Sequence, residues 1–232
     1  MTGYTWTVSA GGTITSGAGT SAITVTWIAT GAQSLTVTYT NGNGCTATNA
    51  TIYNVTVNPL PGAAGNITGT ATVCGGAQGV AYSVPAIANA NTYVWNLPTG
   101  ATIATGAGTN SITVNYGASA SSGNITVYGN NLCGNGNVSA PYAVTVTPLP
   151  AAAGTINGLA SVCKGTTGVV YSVPPITNAA SYVWTLPAGA TTVSGAGTNS
   201  ITVNFGINAV SGNITVFGSN TCGNGTVSSN FA

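Results

Sequence analysis

Five thiols hold most of the chemistry open to this chain: Cys45, Cys74, Cys133, Cys163 and Cys222. Their spacing is regular. Cys74 and Cys163 are 89 residues apart (163 − 74), and so are Cys133 and Cys222 (222 − 133). Cys74 and Cys133 are separated by 59 positions (133 − 74), as are Cys163 and Cys222 (222 − 163). Two cysteines per repeat read as one disulfide per domain, Cys74 with Cys133 and Cys163 with Cys222, with buried free thiols as the alternative. Closing a loop of about 60 residues stabilises by roughly 4 kcal/mol in the chain-entropy account. Cys45 aligns with Cys133. Its partner would fall about 59 residues earlier, before residue 1, so Cys45 is expected to be unpaired.

Composition excludes most other chemistry. Among 232 residues one is charged, Lys164, and there is no Asp, Glu, Arg or His. No carboxylate pair exists for glycoside hydrolysis, no His or carboxylate to act as general base, and no Ser–His–Asp triad. Calcium and magnesium sites need carboxylate oxygens, and the cysteines lack the C-x-x-C spacing of zinc sites. No enzyme activity, catalytic residue, metal or cofactor is therefore expected. One lysine cannot neutralise a phosphate backbone, so nucleic acid is not an expected partner. No apolar run reaches 18 residues, so this segment is not expected to insert in a membrane, and the N-terminus as given shows no signal peptide. The surface left over is neutral Thr, Ser, Asn and Gly. It offers little to titrate or to screen, and it lacks the charge repulsion that keeps proteins apart.

The elements that position the thiols repeat with the same period. Trp6, Trp95 and Trp184 are also 89 apart (95 − 6 and 184 − 95). In the middle copy apolar residues alternate, as in Ile112, Val114 and Tyr116, in Ile125 and Val127, and in Tyr142, Val144 and Val146. Such alternation marks half-buried strands, and Gly- and Asn-rich segments such as 106–110 and 133–136 separate them. The reading is all-β: tandem β-sandwiches of about 89 residues and roughly seven strands each, with no helix of note. Strands are expected near 67–73, 79–84, 92–97, 101–105, 111–116, 124–129 and 138–147. Each Trp lies mid-strand among inward-facing neighbours, so Trp6, Trp95 and Trp184 are read as core anchors rather than sugar-binding platforms. The domains are expected at 1–61 (a first copy without its opening strands), 62–150 (complete) and 151–232 (without its last strand).

The segments VCKGTTGVVYSVPPITNAASYVWTLPAGATTVSGAGTNSITVNFG and GNITVFGSNTCGNG resemble the PKD-like, immunoglobulin-like repeats of very large surface proteins of Bacteroidota. That group includes gliding-motility adhesins exported by type IX secretion. The shared elements are Cys-x-Gly, Y-x-V-P, Y-x-W-x-L-P, G-x-G-T-x-x-I-T-V, and N-I-T-V followed by Cys-Gly. The Trp strand departs from the W-D-F-G-D of PKD domains proper, and the Cys-to-Trp spacing of 21 (95 − 74) is longer than in antibody domains. The resemblance implies an extracellular, cell-surface location and an adhesive or structural role.

From these residues the expected function is a stalk or filament segment of a secreted adhesin. Its partners would be neighbouring domains of the same or identical chains, and the Pro-containing linkers NPLPGAAG and TPLPAAAG would limit bending. The alternatives are a module that binds polysaccharide through its Asn- and Tyr-bearing loops, and a fibre subunit assembled by strand complementation.

Overall fold

The computed structural model describes residues 2–232. Short strands joined by glycine turns make up the chain, and there is no helix among the described residues. The first repeat comprises β1 (Thr2–Val8), β2 (Gly12–Ser16), β3 (Thr24–Trp27), β4 (Gly31–Thr40) and β5 (Thr51–Val57). The second comprises β6 (Thr68–Gly69), β7 (Thr72–Cys74), β8 (Val80–Ser83), β9 (Thr92–Asn96), β10 (Ala101–Thr105), β11 (Ser111–Tyr116), β12 (Gly123–Asn131), β13 (Gly134–Asn135) and β14 (Tyr142–Thr147). The third comprises β15 (Val169–Ser172), β16 (Ser181–Thr185), β17 (Ala190–Ser194), β18 (Ser200–Phe205), β19 (Thr215–Asn220) and β20 (Gly223–Asn224).

The second repeat is a two-sheet sandwich. One sheet has the order β10-β11-β8-β6, the other β13-β12-β14-β7 with β9 paired to β12. The core follows from the alternation: Ile112, Val114 and Tyr116 on β11 and Ile125 and Val127 on β12 are at most 1% exposed. The third repeat reproduces it with Ile201, Val203 and Phe205, and with Ile214 and Val216. Tyr82 and Tyr116 meet in the second core, hydroxyl to hydroxyl at 2.8 Å, and Tyr82 donates to Thr70 O at 2.8 Å. Burial pushes both phenols, and that of Tyr171, above the ordinary tyrosine range.

Two expected strands differ from the structure. The segment expected at 67–73 is divided: β6 pairs antiparallel with β8, whereas β7 crosses to the other sheet and pairs parallel with β14. The chain bends between them so that one opening segment seals the edge of each sheet. The strand expected at 138–147 begins only at Tyr142, because Ser139 turns its hydroxyl inward to accept from Val127 N at 3.1 Å and donate to Ala140 O at 3.0 Å. The turn expected at 133–136 contains β13, which folds back on β12 through Asn130↔Asn135 and Asn131↔Gly134.

The chain partitions into two compact units. One holds the chain up to Ala64 with Ala86–Val94 and Tyr128–Val138, the other Gly65–Pro85, Trp95–Val127 and Ser139–Ala232. The second repeat thus contributes to both. In the first repeat the sheets β1-β4-β5 and β2-β3 enclose much less: among the described residues, the buried hydrophobic set begins at Ile67.

Candidate functional site: the repeat junction

The disulfide and a set of side-chain hydrogen bonds converge on the linker between repeats. At Thr147–Ala151 the chain leaves β14 and starts the third repeat. Cys74 ends β7 with Thr147 as its parallel partner, and Gly75 N donates to Thr147 O at 2.9 Å. From the third repeat, the β19–β20 hairpin reaches the same linker. Asn220 Nδ2 donates to Pro148 O and to Asn178 O, both at 2.9 Å, and its Oδ1 accepts from Cys222 N at 2.8 Å. Asn178 sits at φ 64, a left-handed conformation that Asn tolerates better than most residues, in the turn whose carbonyl meets Asn220. One asparagine therefore holds the linker, a neighbouring turn and the cysteine in a fixed arrangement.

Pro150 fits a notch made by two glycines of this hairpin. A Cβ on Gly225 would come within 2.7 Å of Pro150 O and Ala151 O, and one on Gly218 within 2.7 Å of the Ala179 Cβ and 3.2 Å of Pro150. Only glycine lets the proline seat.

With both cysteines beside the linker, Cys74 and Cys222 are bonded to each other, Cα to Cα 5.5 Å, across 148 positions of sequence. This corrects the expected pairing. Cys74 does not meet Cys133, nor Cys163 Cys222; Cys45, Cys133 and Cys163 are free and exposed. The reason is visible in the third repeat. Cys163 lines a hollow with Pro187, Val210 and Gly212, before β19 begins, while Cys222 lies beyond that strand's end. Extended chain from Asn213 to Asn220, seven steps (220 − 213), spans roughly 23 Å, whereas a disulfide tolerates at most about 7 Å between Cα atoms. The two cysteines of one repeat sit at opposite ends of a strand, out of reach of each other, so the partner of Cys222 lies outside its repeat.

The same construction surrounds Asn58–Pro61. Asn131 Nδ2 donates to Pro59 O and Asn89 O at 2.9 Å, its Oδ1 accepts from Cys133 N at 2.8 Å, and Asn89 is left-handed at φ 60. Pro61 is seated against Gly129 and Gly136. Here the thiol of Cys133 is free, with its Sγ 3.4 Å from Asn58 O. Cys45 closes a different turn, where Asn41 Oδ1 accepts from Cys45 N at 3.0 Å.

The tryptophans do a separate job. Trp6, Trp95 and Trp184 donate their indole N–H to the carbonyls of Thr20, Thr109 and Thr198, at 2.8, 2.9 and 2.9 Å. Each acceptor belongs to a G-A-G-T turn. Trp95 is buried, while Trp6 and Trp184 are only half-buried. Lys164, the one charged side chain, lines the hollow beside Cys163.

A family model described as "PKD-like domain" matches residues 1–55, 60–144 and 149–232. Among curated proteins no sequence relative is found. Solved structures align over nearly the whole chain at low identity. Domains A168-A170 of titin align with 11% identity and a TM-score of 0.40, covering 98% of this chain and 86% of that one. The FN1-FN3 domains of chicken CNTN1 align with 13% identity and a TM-score of 0.32, covering 99% and 88%. The SGBP-B protein of the Bacteroides ovatus mixed-linkage glucan utilization locus, solved with a mixed-linkage heptasaccharide, aligns with 18% identity and a TM-score of 0.24, covering 96% and 55%.

Proposed function

For a chain that belongs to the PKD-like domain family, present in three tandem copies, we propose a load-bearing role: a stalk segment of a large extracellular surface adhesin, made stiff by covalent staples between successive repeats. The Cys74–Cys222 bond carries this reading. A disulfide inside a domain would stabilise that domain alone. One that spans a linker, beside an asparagine clamp and a seated proline, restrains the angle between neighbours. Such a bond persists in an oxidising compartment, which fits a secreted location. The surface fits it too, because a neutral coat keeps the same properties across changes of salt and pH. The repeat motifs resemble those of Bacteroidota adhesins exported by type IX secretion, and that is the setting proposed. The role proposed is non-catalytic, since the sequence has no His or carboxylate to act as general acid or base.

Backbone ¹⁵N relaxation tests the proposal. In the oxidised chain the second and third repeats are expected to tumble as one body, and in the Cys222→Ser variant as two bodies with separate correlation times. Independent tumbling with the bond intact would rule out a stiff stalk. Saturable binding of the whole chain on a glycan array would favour a polysaccharide-binding module instead.

A further inference from the structure

Strands β16 and β19 turn Trp184 and Val216 toward the third core, so their neighbours Val183 and Phe217 stand on the outer face, paired across the two strands. Val227 completes a row with them. Backbone bonds from Gly225 N to Gly218 O and from Ser228 N to Val216 O, both 2.8 Å, bring it opposite Phe217. Val183 and Val227 are 42% and 49% exposed, and Phe217 is half-buried. Hydroxyl pairs border the row, Thr185↔Thr215 on one side and Ser181↔Ser219 on the other. The second repeat carries the same row 89 residues earlier (183 − 94) as Val94, Tyr128 and Val138, the last 56% exposed. The fold does not call for apolar side chains here. In the first repeat Trp6↔Val37 matches Trp184↔Val216, and the pair beside it is Thr5↔Thr38. Neighbouring strands do not cover the rows either. The second row lies in a repeat that has its closing strand β14, the third follows a repeat that has its opening strands β6 and β7, and both rows stay open.

We propose that these rows are the contacts by which a second copy of this chain packs against the first, so that chains associate side by side. An apolar centre with hydroxyls at its margin is the make-up of a protein contact. The neutral surface removes the repulsion that would oppose two identical copies, and it gives a charged partner nothing to pair with. One row covers far less than the roughly 800 Å² per partner of a stable complex, so a single contact is weak. Repetition at the domain period supplies what one contact lacks. Once one row is engaged, a second row on the same chain is held at a high effective concentration, and the array binds more tightly than either row alone.

Sedimentation velocity on the full chain, from micromolar to millimolar concentration, measures the association. The sedimentation coefficient is expected to rise with concentration. Val183→Thr combined with Phe217→Thr, the pair natural to the first repeat, is expected to weaken association about tenfold or more. Adding Val94→Thr and Tyr128→Thr is expected to abolish it. Salt should not weaken it, since there is no charge to screen. Trp184 lies on the opposite face and donates to Thr198 O, so its fluorescence reports that the variants stay folded. Val227→Thr, outside the β16–β19 pair, gives a second reading should the double variant lose that signal. A coefficient that does not change with concentration, association equal in parent and folded variants, or its loss in moderate salt would overturn the proposal. Saturable binding of a neutral polysaccharide that the threonine variants lose, without self-association, would assign the rows to a glycan and overturn it equally.

Discussion

Replacing Cys222 with Ser removes the staple while leaving the third repeat's core untouched, and its effect can be worked from the geometry. Cys74 is anchored in the second repeat beside Thr147. When the third repeat unfolds alone, the bond therefore closes a loop of 75 positions (222 − 147). In the chain-entropy account such a loop restricts the unfolded state by about 4.5 kcal/mol. If both repeats unfold together, the loop is the full 148 positions, worth about 5 kcal/mol. For a repeat of this size, about 4.5 kcal/mol corresponds to a fall in Tm of roughly 20–30 °C. Calorimetry on four single Cys→Ser variants checks the reasoning. Cys74→Ser and Cys222→Ser are expected to lose stability in the third repeat equally, whereas Cys133→Ser and Cys163→Ser, which remove exposed free thiols, should stay within about 0.5 kcal/mol of the parent. Bonds within repeats would give another pattern: Cys163→Ser would match Cys222→Ser, and Cys133→Ser would match Cys74→Ser. That outcome would refute the junction staple.

Two further perturbations have defined outcomes. At the G-A-G-T turn, Gly106→Ala forces a left-handed Cβ to within 2.1 Å of Ser111 O, while Gly108→Ala, at nearly the same φ, meets nothing within 4 Å; urea titration should show a loss of about 1–2 kcal/mol for the second and clearly more, about 3 kcal/mol or above, for the first. Stability should be flat through acid and neutral pH, since no Asp, Glu or His is present, and should fall above about pH 10. The sign follows from burial: the phenols of Tyr82, Tyr116 and Tyr171 are raised in the folded state, so the unfolded chain ionises first and each contributes a loss of up to about 1.4 kcal/mol per pH unit. Chemical denaturation between pH 3 and 11 checks it, and an acid-side transition would contradict it.

Much of the fold is written in local pattern. Alternation placed Ile112, Val114, Tyr116, Ile125 and Val127 inside because a strand sends successive side chains to opposite faces, and those residues are buried. The 89-residue period marked equivalent turns and equivalent tryptophans. The indole bonds to Thr20, Thr109 and Thr198 were not legible, because a contact 14 residues away depends on how the intervening turn folds. The disulfide was misread for a plainer reason. An even cysteine count fixes how many bonds can form and says nothing of partners. The division of the opening segment into β6 and β7 was hidden because two- and three-residue strands carry too little periodicity to register.

The staple also changes what happens when the chain is pulled from its ends. Tension entering at Cys74 crosses to Cys222 through one bond, over 5.5 Å between Cα atoms. The intervening 147 residues (148 − 1) lie off the loaded path, and some 500 Å of extended chain is withheld from stretching, at about 3.5 Å per residue. The two sandwiches around that bond can lose their fold without lengthening the tether. The span also exceeds the repeat, 148 positions against 89, so Cys163 already lies inside the loop that Cys74 begins. Bonds laid down in this register overlap like links of a chain, each opening before the previous one has closed.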